Sequence, residues 1–395
     1  MTSLLTEPRP ASSDAMQQLV VELRQLAVRA MARMYRPEHR IFAFRVRRNS
    51  AASSAPRTRE TADAADLIQE GISRRYTAIA LIGLADHPPD SAVRVLRGST
   101  AAEACRRLLE DVGSWDNLGD VALALWAAKR LDPSAAKAAY RQLCALNPVH
   151  GRHPTVDLSW ALTALCQGRG SGAEETAWAK EVADRLMNNF RPASGLFPHW
   201  PDGTHRSWLR AHVCCFADIV YPLQALSYYV KRTQDPRAAD IARACAERMC
   251  ANQGPEGQWW WHFDLRTGSV IERYPVYAVH QSSMAPMSFF ALQDACGADH
   301  TPAIRRGLLW LLHAPEIDGS LIDRQVDCIW RKVARHEPGK LARGLQALAS
   351  RLHPGWRVPG LGGVFRAGWI DHESRPYHMG WILHAWPPTR TLSRA

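Results

Sequence analysis

The segment 257–281, GQWWWHFDLRTGSVIERYPVYAVHQ, places three consecutive tryptophans beside two tyrosines, two histidines and two carboxylates. Indole faces such as that of Trp260 are flat stacking surfaces for sugar rings, isoprenoid chains or cations. Tyr277 and His280 can donate or accept protons, and Gln281 can hydrogen-bond a polar ligand. A second group surrounds Asn117, where Asp116 and Asp120 lie four residues apart and would share a face if one helix carried both. Paired carboxylates are what glycoside hydrolysis uses: one protonates the leaving oxygen, the other activates water or attacks carbon. The partner carboxylate can also come from across a pocket, from Asp218, Asp264 or Glu373. For Asp116, Asp157 and Asp218 helix N-capping competes with catalysis as an explanation.

Charge narrows the ligand. Lys and Arg number 49 against 38 Asp and Glu, a formal net charge of +11, which favours anionic partners. The positive residues are scattered along amphipathic helices and form no nucleic-acid module. Those beside aromatics and histidines, Arg75 and Arg375 among them, suit a small anionic ligand, with His212, Tyr377 and His378 as further contacts. The nine cysteines contain no C-x-x-C, so buried thiols are expected instead of a zinc site or a disulfide framework. The loops 195–200 and 202–208 bring His199 and His205 near carboxylates, but without helix-borne zinc spacing. They read as substrate-facing rims carrying Trp200 and Trp208, and no metal or cofactor is expected. No apolar run reaches the roughly 18 residues of a membrane span, and the start of the chain lacks a signal-peptide pattern, so a cytoplasmic address is expected.

Periodicity shows how these residues are positioned. Six Ala-, Leu- and aromatic-rich segments, 73–84, 115–128, 157–166, 218–230, 281–292 and 377–386, are poor in charge along their length and polar at their N-terminal ends. Charged, amphipathic segments alternate with them at 101–109, 134–146, 173–189, 236–250 and 301–313. Helices apolar all round are buried and striped ones half exposed, so the alternation predicts an inner ring within an outer ring. The inner N-termini then converge on one face, where their partial positive charge favours anions. Residues 320–335, SLIDRQVDCIWRKVAR, fit a further inner helix, which would make seven hairpins. An N-terminal portion, 1–66, is expected to add an amphipathic helix at 15–35 and a flexible basic loop or lid near 48–61, packed on a main domain spanning 67–395.

This alternation resembles the all-α (α/α)6 toroid of many glycosidases, polysaccharide lyases and sugar epimerases, over roughly residues 70–390. The resemblance implies an enzyme acting on an acidic oligo- or polysaccharide by acid/base catalysis, as hydrolase or lyase. Catalytic roles are expected for Asp116, Asp218, Tyr277 and His280, and substrate contacts for Arg75, Asn117, Asp120, His212, Trp260, Gln281, Arg375, Tyr377 and His378. In uronate lyases of this fold Tyr or His moves the protons while Asn, Arg or His neutralises the carboxylate, which would fall here to Tyr277, His280 and His212 with Asn117 and Arg75. Gln253, Gly257 and Trp259 also match the Q-x-x-x-G-x-W repeat of triterpene cyclases, where it braces a helix end. The Asp-x-Asp-Asp acid of that family is absent, so a terpene cyclase would need Asp116, Asp120 or Asp218 as its acid. A third alternative is a non-catalytic glycan-binding or scaffold toroid.

Overall fold

The computed structural model describes residues 13–49, 67–168, 172–201 and 208–392; the candidate lid near 48–61 and His205 therefore fall largely outside the described residues. Outer and inner helices alternate along the chain. Helix α1 (Ser13–Met34) is outer and α2 (Arg74–Leu84) inner; α3 (Pro89–Val95) and α4 (Ala101–Leu108) return outside, and α5 (Leu118–Leu131) is inner. The pattern continues through α6 (Ala136–Ala145) and α7 (Thr155–Cys166), then α8 (Ala173–Asn189) and α9 (Ala217–Thr233). It resumes with α10 (Pro236–Ala251) and α11 (Ala285–Cys296), which is preceded by a π-turn over His280–Met284. After outer helix α12 (Thr301–His313), a long excursion carrying α13 (Leu341–Leu352) and α14 (Leu361–Val364) leads to the last inner helix, α15 (Pro376–Ala385).

Neighbour packing closes the ring in the order α2, α5, α7, α9, α11, α15 and back to α2. The inner helices are buried almost all round; α7 buries every residue from Asp157 to Leu165. Closure depends on two glycines. A Cβ on Gly83 would lie 2.3 Å from the Gly380 carbonyl oxygen, and one on Gly380 would lie 2.6 Å from that of Ile79, so α2 and α15 approach backbone to backbone. Helix starts are set locally: Ser73 accepts the Tyr76 N–H at 3.2 Å, and Asn117 Oδ1 accepts the Asp120 N–H at 3.0 Å.

Short strands fill the mouth. The hairpin of β1 (Tyr35–Arg36) and β2 (Ile41–Phe42) leads into β3 (Arg45–Arg48) and β4 (Leu67–Glu70). Strands β5 (Val213–Cys215), β6 (His262–Asp264) and β7 (Val270–Glu272) form an antiparallel sheet, followed by β8 (Val276–Tyr277). In the excursion β9 (Ile322–Asp323) and β10 (Cys328–Ile329) pair as a hairpin; β11 (Lys332–Arg335) joins β8 to β12 (Ala367–Asp371), and β13 (Glu373–Ser374) pairs with β3.

The further inner helix expected at 320–335 is therefore corrected to strands, and among the described residues six inner helices complete the ring. Asp323 Oδ1 accepts the N–H groups of Gln325 and Val326, and Asp327 adopts φ 50°, so side-chain-to-backbone bonding turns the chain where a helix would have continued. The Gln253 motif behaves as a brace: its Nε2 donates to the carbonyls of Gly257 (3.0 Å) and Ala303 (2.9 Å), while Trp259 is buried. All nine cysteines are free thiols. Among the described residues, no helix is long and apolar enough to cross a membrane.

Candidate active site

At the starts of α2, α5 and α7 one arginine joins the ring together. The Arg75 guanidinium forms an ion pair with Asp120, donates to Asn117 Oδ1 at 2.8 Å and lies 5.3 Å over the ring of Trp160. Asp157 stands beside this pair. It is not the cap of α7, whose N-cap is Pro154 without a side-chain hydrogen bond; its carboxyl instead lies against the Gly119 backbone. Gly119 makes that approach possible, since a Cβ there would lie 2.5 Å from Asp157 Oδ1. Burial pushes the Asp157 carboxyl up to about 6, with Arg75 opposing and Asp120 reinforcing the shift. One carboxyl thus keeps its proton up to about pH 6 while its neighbour is ion-paired, the separation that divides acid from base.

Across the mouth, His199 Nδ1 lies 2.9 Å from Asp218 Oδ1. Asp218 is fully buried and its Oδ2 also accepts the Cys215 N–H at 2.8 Å. With a carboxylate as partner, Nδ1 is the donor. The hydrogen bond raises the His199 pKa, against the opposing effect of burial. His199 borders a cavity of about 350 Å³ lined also by Trp200, Arg210, Cys215, Trp261 and His262. The His199 imidazole and the Asp157 carboxyl also interact coulombically, each favouring the other's charged form. His199, Cys215 and Asp218 each present a potential metal ligand within 4.8 Å of one another. The Asp218 oxygens are already taken by the imidazole and a backbone N–H, burial and Asp218 hold the Cys215 thiol protonated, and Arg210 stands nearby. The arrangement is a carboxylate-oriented imidazole.

The excursion supplies a basic, aromatic wall. Arg331 lies 5.4 Å and Lys332 Nζ 5.8 Å over the Tyr277 ring. Trp261 packs edge-on to Tyr277 at 5.1 Å and beneath Arg343 at 4.5 Å. Glu373 gathers Arg45 (3.0 Å), Arg331 (3.1 Å) and Arg375, and Arg375 donates onward to the Tyr76 hydroxyl at 2.8 Å; Tyr76 packs on Tyr377. The buried Nε–H groups of Arg331, Arg335 and Arg343 have no hydrogen-bond acceptor, and Arg343 has no ion pair among the described residues. Lys332, Arg335, Lys340 and Arg343 border a groove of about 650 Å³ with Trp369.

Placement of the remaining candidates differs from expectation. Asp116 is exposed and precedes the cap of α5, so it shares no helix face with Asp120. His280 is stacked on Phe216 at 4.2 Å, and burial pushes it down to about 3; it is a neutral packing group beneath the mouth. Gln281 Oε1 accepts the Trp259 N–H at 3.1 Å, and His378 bonds Ser282 at 2.8 Å with its pKa likewise lowered to about 3. His212 is turned toward Ser350 of α13 (2.9 Å) and is lowered to about 4 by burial. Trp260 is buried against Tyr274 and Arg273, so of the three consecutive tryptophans Trp261 is the one that borders the cavity.

No protein-family model matches the chain, and no curated protein matches it in sequence. Among solved structures it is similar to an unsaturated glucuronyl hydrolase specific for heparin (TM-score 0.57, 14% identity, 94% of this chain and 96% of that chain covered). It is also similar to a cellobiose 2-epimerase from Bacillus thermoamylovorans (TM-score 0.55, 10% identity, 80% and 87% covered). An α-1,6-mannanase from Salegentibacter sp. has a TM-score of 0.52 at 11% identity, with 93% and 98% covered. These likenesses show the (α/α)6 toroid fold.

Proposed function

We propose that this chain is a carbohydrate-active enzyme that hydrolyses an acidic oligosaccharide by acid/base catalysis. The observation that carries the reading is Asp157, a carboxyl raised to about 6 beside the Arg75–Asp120 pair at the convergence of inner-helix starts. In this account Asp157 protonates the leaving glycosidic oxygen, and His199, oriented by Asp218, takes a proton from the attacking water. Asp120, held against Arg75, faces the positive charge that develops at the anomeric carbon. Water thus contributes hydroxyl to the anomeric carbon and, through the two side chains, a proton to the departing sugar.

The acidic part of the substrate is assigned to Arg331 and Arg343, whose buried Nε–H groups lack acceptors, with Trp261 and Tyr277 as stacking surfaces. The sugar-active neighbours on the same fold support the reaction class, and nine free thiols support a reducing, cytoplasmic address. A terpene cyclase is less well supported, since an arginine and two carboxyls occupy the convergence point and Asp116, one acid it would need, is exposed. Incubation with uronate-bearing and neutral oligosaccharides and with polyprenyl diphosphates distinguishes the possibilities. New reducing ends from the uronate substrates are expected. Ultraviolet-absorbing unsaturated uronates would instead indicate elimination, and a cyclised hydrocarbon from the diphosphates, or no turnover of any saccharide, would overturn the reading.

A further inference from the structure

Helix α13 is built inside out. It buries Ala342, Gln346, Ala347, Ala349 and Ser350 against the body, while Leu341, Leu345, Leu348 and Leu352, spaced four, three and four residues apart, form an exposed stripe. Large aliphatic residues are normally the buried ones, so four of them on one exposed helix face mark a contact surface. The surface continues beyond the helix through Trp356 and Val364, 47% and 75% exposed.

Its charge is as one-sided as its hydropathy. From Pro338 to Ile370 the chain has no Asp or Glu, yet it carries Lys340, Arg343, Arg351, Arg357 and Arg366. Lys340, Arg357 and Arg366 are exposed, and Arg351 is half-buried at the edge of the stripe, over the ring of the exposed Trp208 at 5.0 Å. An aliphatic stripe flanked by cations and by tryptophan is the composition of a helix lying in the plane of a membrane interface. A second copy of the chain would bring two mainly cationic surfaces together, whereas an anionic bilayer neutralises them.

We propose that the α13 face docks on an anionic lipid bilayer, the leucines and Trp356 entering the headgroup boundary and the cations holding lipid phosphates and carboxylates. Because Arg343, on the same helix, lies over Trp261, docking brings the mouth of the toroid to the lipid surface. The inference stands independently of the reaction catalysed.

The test is sedimentation of the full chain with phosphatidylserine-rich vesicles and with pure phosphatidylcholine vesicles, at low and high salt. Binding is expected to the anionic vesicles, weakened by salt, and reduced roughly tenfold or more in a Leu345→Asp/Leu348→Asp variant. Both substituted positions are exposed, so the variant's circular dichroism and thermal midpoint are expected to match wild type; Arg357→Gln/Arg366→Gln provides a second, charge-only test, with a smaller loss. Three results overturn the proposal: no binding of wild type to anionic vesicles, equal binding by both variants, or lipid-free dimerisation that the leucine variant abolishes without any vesicle binding. The last would assign the face to a second copy.

Discussion

The inner-helix starts and the excursion between α12 and α15 meet at the same mouth but are built differently. Groups suited to moving protons, Asp157, Asp120 and the His199–Asp218 pair, lie at or against the starts of α5, α7 and α9, fixed by capping and by backbone contacts such as Gly119. The excursion contributes cations and aromatic faces, Arg331, Lys332 and Arg343, on short strands and one helix packed against β7 and β8. Under the proposed function the ring carries the chemistry and the inserted wall the recognition, as expected where precision is needed for proton transfer and variability for specificity.

That division can be broken by mutation. Asp157→Asn should lower kcat by about 10²- to 10⁴-fold, the usual contribution of a general acid, with KM little changed. Gly119→Ala, whose new Cβ would meet Asp157 Oδ1, should displace the same carboxyl and cost up to about 100-fold in kcat. Arg343→Gln should do the opposite, raising KM for an acidic oligosaccharide about tenfold with kcat preserved and leaving a neutral analogue unaffected. If Arg343→Gln lowered kcat as Asp157→Asn does, the two regions would not be separable.

Stability gives a smaller but independent contrast. Asp157 has a folded pKa raised from 3.8 to about 6, so the folded chain binds more protons in that window and gains stability as pH falls through it. Above pH 6 the ionised carboxyl destabilises the fold, on the order of 3 kcal/mol, and Asp157→Asn should raise the thermal midpoint at pH 8 with a difference that vanishes near pH 4. The buried histidines act in the other sense. His212, lowered to about 4, and His280 and His378, lowered to about 3, stay neutral while their unfolded counterparts, near 6.5, take up protons. Their combined effect should make wild type less stable at pH 5 than at pH 7 by thermal unfolding, and His280→Gln should reduce that slope.

Most of the ring was legible because an inner helix differs from an outer one all along its length, as 157–166 differs from 173–189. The excursion was not: Ile, Val and Trp spaced through 320–335 suit a helix as well as short strands, and only the Asp323 and Asp327 turn decides, hiding Arg331 and Lys332 within an apparent helix. Asp157 was visible as a first-turn aspartate, but nothing local distinguishes a cap from a carboxyl that crosses to another helix. His199 lies in a segment whose composition suits a rim, and its pairing with Asp218 is a contact between separate segments without a spacing signature. His280, expected to be catalytic, is stacked on Phe216, and Gln281, expected at the substrate, bonds the Trp259 backbone, because a helix end in a toroid has an inner face and a buried flank that periodicity does not separate.

The central claim is tested most directly by the pH dependence of hydrolysis of a uronate-bearing oligosaccharide by wild type and Asp157→Asn. The account predicts that wild-type kcat/KM falls as pH rises above about 6, following loss of the Asp157 proton, and that the folded variant is at least about 100-fold slower across the range. A variant that turns over at the wild-type rate, with the same alkaline limb, would contradict it.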